Sequence, residues 1–126
     1  MNDLTNELKT INDKLFDLSN ERTKLKIELY QELSNKTFNE SIIDGCITTA
    51  EIPVYLYDVE KKYTNEQARK TGVKTFLNQN DVYISSVDLI VLNNQKINSI
   101  DIKLRNNQSE IDFQKRLFDI LMKEEN

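Results

Sequence analysis

The chain has 126 residues, of which 30% are charged and 38% hydrophobic, and its formal net charge is −4. This length predicts a single domain over residues 1–126, and the weakly acidic balance gives no bulk attraction to nucleic acid. Two Gly, one Pro and no Trp leave little material for a turn-rich β fold and favour long helices.

Residues 1–33 are predicted to form an amphipathic helix. Its apolar side chains recur at alternating spacings of four and three, which keeps them on one line of the helix, called here the seam. Arg22 is the polar exception, and it either fixes the helix register or extends its guanidinium to water. The apolar seam residues are Leu4, Leu8, Ile11, Leu15, Leu18, Leu25 and Leu29.

Residues 38–63 are predicted to connect two helices through a small β-hairpin. Residues 47–52 and 54–59 are rich in β-branched and aromatic side chains, and Asp44-Gly45 is a typical hairpin turn. Pro53 restricts this stretch to an edge strand or the start of a loop. The alternative is a long irregular connection.

Residues 65–123 are predicted to form a long helix, either continuous or kinked near residues 78–81. Thr64 is the predicted N-cap, with Gln67 completing a capping box. An apolar stripe recurs every seven residues at Phe76, Tyr83, Ile90, Ile97, Leu104, Ile111 and Phe118. Its companion positions are more polar than a self-sufficient zipper requires: Ser86, Asn93, Ile100, Asn107, Gln114 and Leu121.

These elements predict a mainly α fold with two long, antiparallel, coiled-coil-like helices joined by the middle region. Residues 1–33 are expected to fold back along residues 87–123, where Ile90, Ile97, Leu104, Ile111 and Phe118 supply the other half of the helix–helix interface. Further apolar residues outside the seam predict a homo-oligomer or a bound protein partner.

The sequence lacks most residue types that active sites and metal sites use. It has no His and one cysteine, Cys46, which excludes the usual zinc sites and His-dependent triads. Gly45 and Gly72 form no phosphate-binding loop. We therefore expect no enzymatic activity, metal or cofactor. Without a membrane-length apolar run or signal-peptide pattern, a cytoplasmic location and no membrane partner are expected.

A cluster of basic and aromatic residues is the candidate binding patch. It comprises Lys61, Lys62, Tyr63, Arg69, Lys70 and Lys74. Cations and tyrosines near a helix N-terminus are suited to phosphate or to an acidic partner. The alternative is an ordinary solvated helix start, in which Glu66 pairs with Arg69 or Lys70.

The stretch from Lys62 to Arg69, Lys-Tyr-Thr-Asn-Glu-Gln-Ala-Arg, is followed by Val73, Leu77 and Tyr83. In this pattern the chain resembles small coiled-coil proteins of phage and prophage early gene regions, which often lie near recombination and replication functions. The resemblance covers about residues 61–120. It implies a bacterial cytoplasm and a helical fold, and it implies no particular activity.

The leading functional hypothesis is a non-enzymatic, oligomeric coiled-coil protein that binds another protein, as a phage or mobile-element accessory or inhibitor factor. One alternative rests on the predicted helix–hairpin–helix order, which resembles prefoldin subunits and implies a chaperone. The other is a nucleic-acid-associated factor that uses the patch at residues 61–74, and nucleic acid is the less favoured partner.

Overall fold

The computed structural model describes residues 2–125, and three α-helices account for most of them. Helix α1 spans Asn2–Glu51, α2 spans Glu66–Asn78 and α3 spans Asp81–Glu125. A π-helical turn, Ile52–Leu56, follows α1. The prediction of a mainly α fold is confirmed. Met1, where the first helix was predicted to begin, and Asn126, the last residue of the predicted domain, lie outside the described residues.

Helix α1 continues through residues 34–51, where the sequence predicted a helix exit and the first strand of a hairpin. No residue from 2 to 125 lies in a strand, so the predicted hairpin is wrong for this part of the chain. The four-three spacing persists at Asn39, Ile43, Cys46 and Ala50, all buried or half-buried. Packing along this seam therefore outweighs the β propensity of the Ile and Thr residues.

The end of α1 is set by Pro53, which has no N–H to continue the α-helical hydrogen bonding. The chain widens into the π-helical turn, in which the Tyr57 N–H donates to the Ile52 carbonyl at 2.9 Å. Val54 in this turn is 2% exposed, the lowest value among the described hydrophobic residues. Residues 54–59, predicted as a strand, are thus the end of the π-helical turn followed by irregular backbone.

Asparagine side chains fix the start of both later helices. The N-cap of α2 is Asn65 rather than Thr64, because Asn65 Oδ1 accepts the Ala68 N–H at 2.8 Å. Asn80 Oδ1 accepts the N–H groups of Val82 and Tyr83, at 3.0 and 3.2 Å. Capping by Asn80 starts a new helix at Asp81, so the predicted long helix is two helices with a break inside the 78–81 stretch.

The chain divides into two compact units. The first combines α1 up to Gln31 with α3 from Lys96 onward, and the second runs from Glu32 to Gln95. In the first unit Arg22 Nη1 donates to the Leu104 carbonyl at 3.3 Å, so Arg22 contacts the other helix. The buried apolar residues of the first unit are Ile11, Leu25, Ile100 and Ile111, and those of the second are Ala50, Val54 and Leu77.

All twelve residues of the predicted helix–helix interface are buried or half-buried. The most deeply buried line of α3 is nevertheless the companion line, at Ser86, Asn93, Ile100, Asn107 and Gln114. The interface therefore contains a series of buried polar side chains, and each of their polar atoms is costly unless it finds a hydrogen-bond partner inside the protein.

Candidate partner-binding surface

Residues 52–65, called here the connector, link α1 to α2 and expose large apolar side chains. Val59 is 88% exposed, Leu56 72% and Tyr57 71%. Fully burying side chains of this size is favourable by about 1.5–3 kcal/mol each. Three of them within four residues form a strong candidate contact for another protein.

The connector is held in one conformation by the Asp58 carboxylate. Its two oxygens accept the N–H groups of Lys62 and Tyr63, at 2.9 and 2.8 Å. The Lys61 N–H donates to the Asp58 carbonyl at 3.2 Å, and Lys61 adopts a φ of 53° in the left-handed region. Val59 therefore lies within a closed turn, and Leu56 and Tyr57 lie at the hydrogen-bonded end of the π-helical turn before it. This ordered backbone lowers the entropy lost on binding.

A second set of contacts ties the connector to the first turn of α2. Tyr55 Oη donates to Glu66 Oε1 at 3.0 Å, and this hydrogen bond is the main cause of the raised pKa of the Tyr55 phenol. The Arg69 guanidinium lies 5.9 Å from the centroid of the Tyr55 ring and pairs with Glu66 at 3.6 Å. These exposed contacts orient the two elements and contribute little stability.

Tyr63 packs directly on the backbone of α2 at Gly72. Gly72 is buried, and a Cβ built there would lie 2.8 Å from Tyr63 Cδ1. A glycine inside a helix costs about 1 kcal/mol relative to alanine. Here it allows the tyrosine ring to approach the helix backbone, which explains why α2 accepts it.

Gly72→Ala is expected to lower the free energy of unfolding by about 1 kcal/mol, although alanine is the better helix former. The new methyl group displaces the Tyr63 ring. Urea denaturation would measure the loss. In the Tyr63→Ala background the same substitution should become stabilising, because the obstruction is gone. Equal effects in both backgrounds would contradict this packing.

A shallow groove of about 240 Å³ lies between the connector and α2. Its apolar lining comprises Pro53, Tyr57, Val59, Tyr63 and Phe76, and Asp58, Glu60 and Lys62 are its polar lining. An apolar lining with a few polar groups is typical of a site that receives one apolar side chain of a partner.

The residues of the predicted basic patch differ in their contacts. Lys62 lines the groove and pairs with Glu60 at 2.8 Å, a contact that raises the pKa of the Lys62 ammonium. Lys70 lines a different groove, of about 250 Å³, together with Tyr55 and Val73. Arg69 is paired as described above, whereas Lys61, Lys70 and Lys74 have no salt-bridge partner among the described side chains of residues 3–124.

The patch predicted from sequence includes Lys61, Lys62 and Tyr63 of the connector but not the exposed apolar side chains beside them. Leu56, Val59 and Phe76 were assigned to a strand or to the helix stripe. For Leu56 and Val59 the distinguishing signal is proximity to Pro53, which ends α1, whereas the sequence carries no such signal for Phe76.

Two further observations concern metal binding and membrane-spanning helices. Among the described residues, no three His, Cys, Asp or Glu side chains are grouped so that they could hold a metal ion. Nor does any helix of that part of the chain have the length and apolar character needed to cross a membrane.

No protein-family model, curated protein or solved structure matches this chain. The resemblance to phage coiled-coil proteins stays a prediction.

Proposed function

We propose that this chain is a non-enzymatic coiled-coil protein that acts by binding another protein through the connector. The observation that carries the proposal is the groove between Tyr57, Val59 and Phe76, beside side chains that are more than 70% exposed. A large exposed apolar cluster on a closed turn is costly in water unless a partner covers it.

The helices that display the connector are proposed to pair as an antiparallel coiled coil. Two hydrogen bonds of the first unit support this arrangement: Asn107 reaches the Leu18 carbonyl, and Arg22 reaches Leu104. The higher number on α1 goes with the lower number on α3, as expected for helices that run in opposite directions.

The groove favours a partner segment that inserts an apolar side chain, and Lys61, which does not line the groove, favours an acidic group elsewhere on that segment. Lys61 and Lys62 are exposed on the connector, and Lys61 has no salt-bridge partner among the side chains described for residues 3–124. Complementary charge at the rim of an interface increases the association rate and specificity. The resemblance noted above favours an accessory or inhibitor role for a phage or mobile element in the bacterial cytoplasm.

The test is an affinity capture from bacterial lysate in which recovery depends on the connector. A Tyr57→Ala/Val59→Asp variant should recover the specific partner at least tenfold less, because it removes apolar contact and places a charge in the groove. Phe16→Ala is the matched control, since Phe16 is an aromatic residue 67% exposed on α1 of the other unit. Circular dichroism should show equal helix content in all three proteins.

Equal recovery by the wild type and the connector variant would contradict the proposal, as would the absence of any reproducibly enriched protein. The nucleic-acid alternative retains one observation in its favour, the exposed Tyr57 in the same groove as Lys62, where a base can stack. Binding of a fluorescent single-stranded oligonucleotide at ~50 mM salt, lost in a Tyr57→Ala variant, would establish it instead. The prefoldin alternative rested on the hairpin, which the described residues do not form.

A further inference from the structure

One side of the α1–α3 pair in the second unit carries no charged side chain. The assignment rests on the antiparallel pairing proposed above. In that pairing, the residues that directly precede the seam positions Ile43 and Ala50 of α1 lie on the same side as the residues that directly precede Tyr83 and Ile90 of α3. The uncharged side is defined by Phe38, Ile42 and Gly45 of α1 and Val82, Leu89 and Leu92 of α3. The opposite side of α1 carries Glu40, Asp44 and Glu51.

The uncharged side is open to solvent. Phe38 is 67% exposed, Val82 58%, Leu92 49% and Leu89 45%. On α3 the only charged residue from Val82 to Gln95 is Asp88. A helix segment with apolar residues on its flanks as well as on its seam is typical of a helix covered from more than one direction.

The α1 part of this side combines a large residue with an opening. Phe38 protrudes, and Gly45 lies one heptad later on the same line of the helix. A Cβ built on Gly45 meets no atom within 4 Å, so the space beside it is free. The neighbouring hydroxyl of Thr49 already donates to the Gly45 carbonyl at 2.9 Å and needs no other partner when covered.

We propose that a second copy of this chain covers the uncharged side, with the two α1 helices antiparallel around a two-fold axis between Phe38 and Gly45. Phe38 and Gly45 are equally far from such an axis. Phe38 of each copy therefore packs against Gly45 of the partner subunit. A second copy is favoured as the occupant because the protruding residue and its opening lie on the same helix. No charged side chain of this side is desolvated in the contact.

The contact is moderate in size. Phe38, Val82, Leu89 and Leu92 together supply on the order of 400 Å² of apolar area per copy, against ~800 Å² per partner in a standard interface. We therefore expect a dimer that forms at micromolar concentrations rather than an obligate one.

Sedimentation velocity on the full chain tests the proposal. Between about 1 and 100 μM the mass should rise from 14.8 kDa toward twice that value. Phe38→Ala and Gly45→Leu should each weaken the dimer at least tenfold. Leu33→Ala, on the other side of α1 and 44% exposed, should leave it unchanged. Because Leu is a better helix former than Gly, loss of the dimer in Gly45→Leu cannot come from a weaker helix.

Cysteine cross-linking tests the axis itself. In a Cys46→Ala background, Ser41→Cys lies beside the proposed axis and should oxidise to a disulfide-linked dimer. Glu40→Cys, its neighbour on the opposite side, should not. A wild type that stays monomeric at about 100 μM, a dimer insensitive to Phe38→Ala and Gly45→Leu, or cross-linking through position 40 would each overturn the proposal. The Tyr57→Ala/Val59→Asp variant should still dimerise, which separates a failure here from a failure of partner binding.

Discussion

Replacing Asn93 with leucine is expected to lower the free energy of unfolding by about 3 kcal/mol, even though leucine is the preferred residue at that type of seam position. Asn93 is 6% exposed and uses both ends of its amide. Its Nδ2 donates to Glu32 Oε1 at 2.6 Å, and its Oδ1 accepts from Asn39 Nδ2 at 2.9 Å.

The loss comes from the groups that Asn93 leaves behind. Asn39 is 8% exposed, so its amide would remain in the interior without its acceptor. The Glu32 carboxylate would lose a hydrogen-bond donor at a half-buried position. A buried polar group without its partner costs about 1–3 kcal/mol, which exceeds the gain from a larger apolar side chain.

Urea denaturation followed by circular dichroism would measure the difference. Asn94→Leu is the control, because Asn94 is the exposed neighbour and should change stability by less than about 0.5 kcal/mol. The Asn39→Leu/Asn93→Leu double variant should recover most of the loss, since it removes both amides together. An Asn93→Leu protein as stable as the wild type would show that this polar layer contributes nothing.

The seam of this fold could be predicted because the physical cause lies within the sequence. Apolar residues at spacings of four and three fall on one line of a helix whatever the surroundings, and Leu4 to Leu29 all lie on the covered side. The four-three spacing continues along α1 to Ala50. Between residues 32 and 50, however, the seam positions include the polar residues Glu32, Lys36 and Asn39 as well as apolar residues. Composition alone gave no reason to include these polar residues in a seam.

The connector could not be predicted because its geometry depends on contacts that no spacing encodes. Asp58 closes the turn through two backbone N–H groups, and Tyr63 finds its place only because Gly72 leaves room for its ring. β-Branched residues on both sides of Pro53 indicated strands. β propensity reflects packing on a neighbouring strand, and here the neighbour is a helix.

Asn107→Leu is expected to change stability in the opposite direction to Asn93→Leu, raising the free energy of unfolding by about 2 kcal/mol. Asn107 occupies the equivalent position two heptads later and is 3% exposed. Its Nδ2 donates to the Leu18 carbonyl at 2.9 Å, whereas its Oδ1 accepts no hydrogen bond within the described residues. Leucine therefore removes an unpartnered buried oxygen.

The Asn107→Leu substitution leaves no additional buried group of the described residues without a hydrogen bond. The Leu18 carbonyl lies in the interior of α1, where it also accepts the N–H of its own helix four residues on. It therefore keeps a hydrogen bond when Asn107 is replaced, unlike the side chains that depend on Asn93.

Parallel urea titrations of the two variants give the decisive comparison, because both substitutions add the same side chain to the same line of α3. If both variants were stabilised, or both destabilised by similar amounts, hydrogen-bond satisfaction would not be what distinguishes these two positions. An Asn107→Leu chain that is more stable but samples several helix registers would show why the asparagine is retained, since a single buried amide can fix register at a cost in stability.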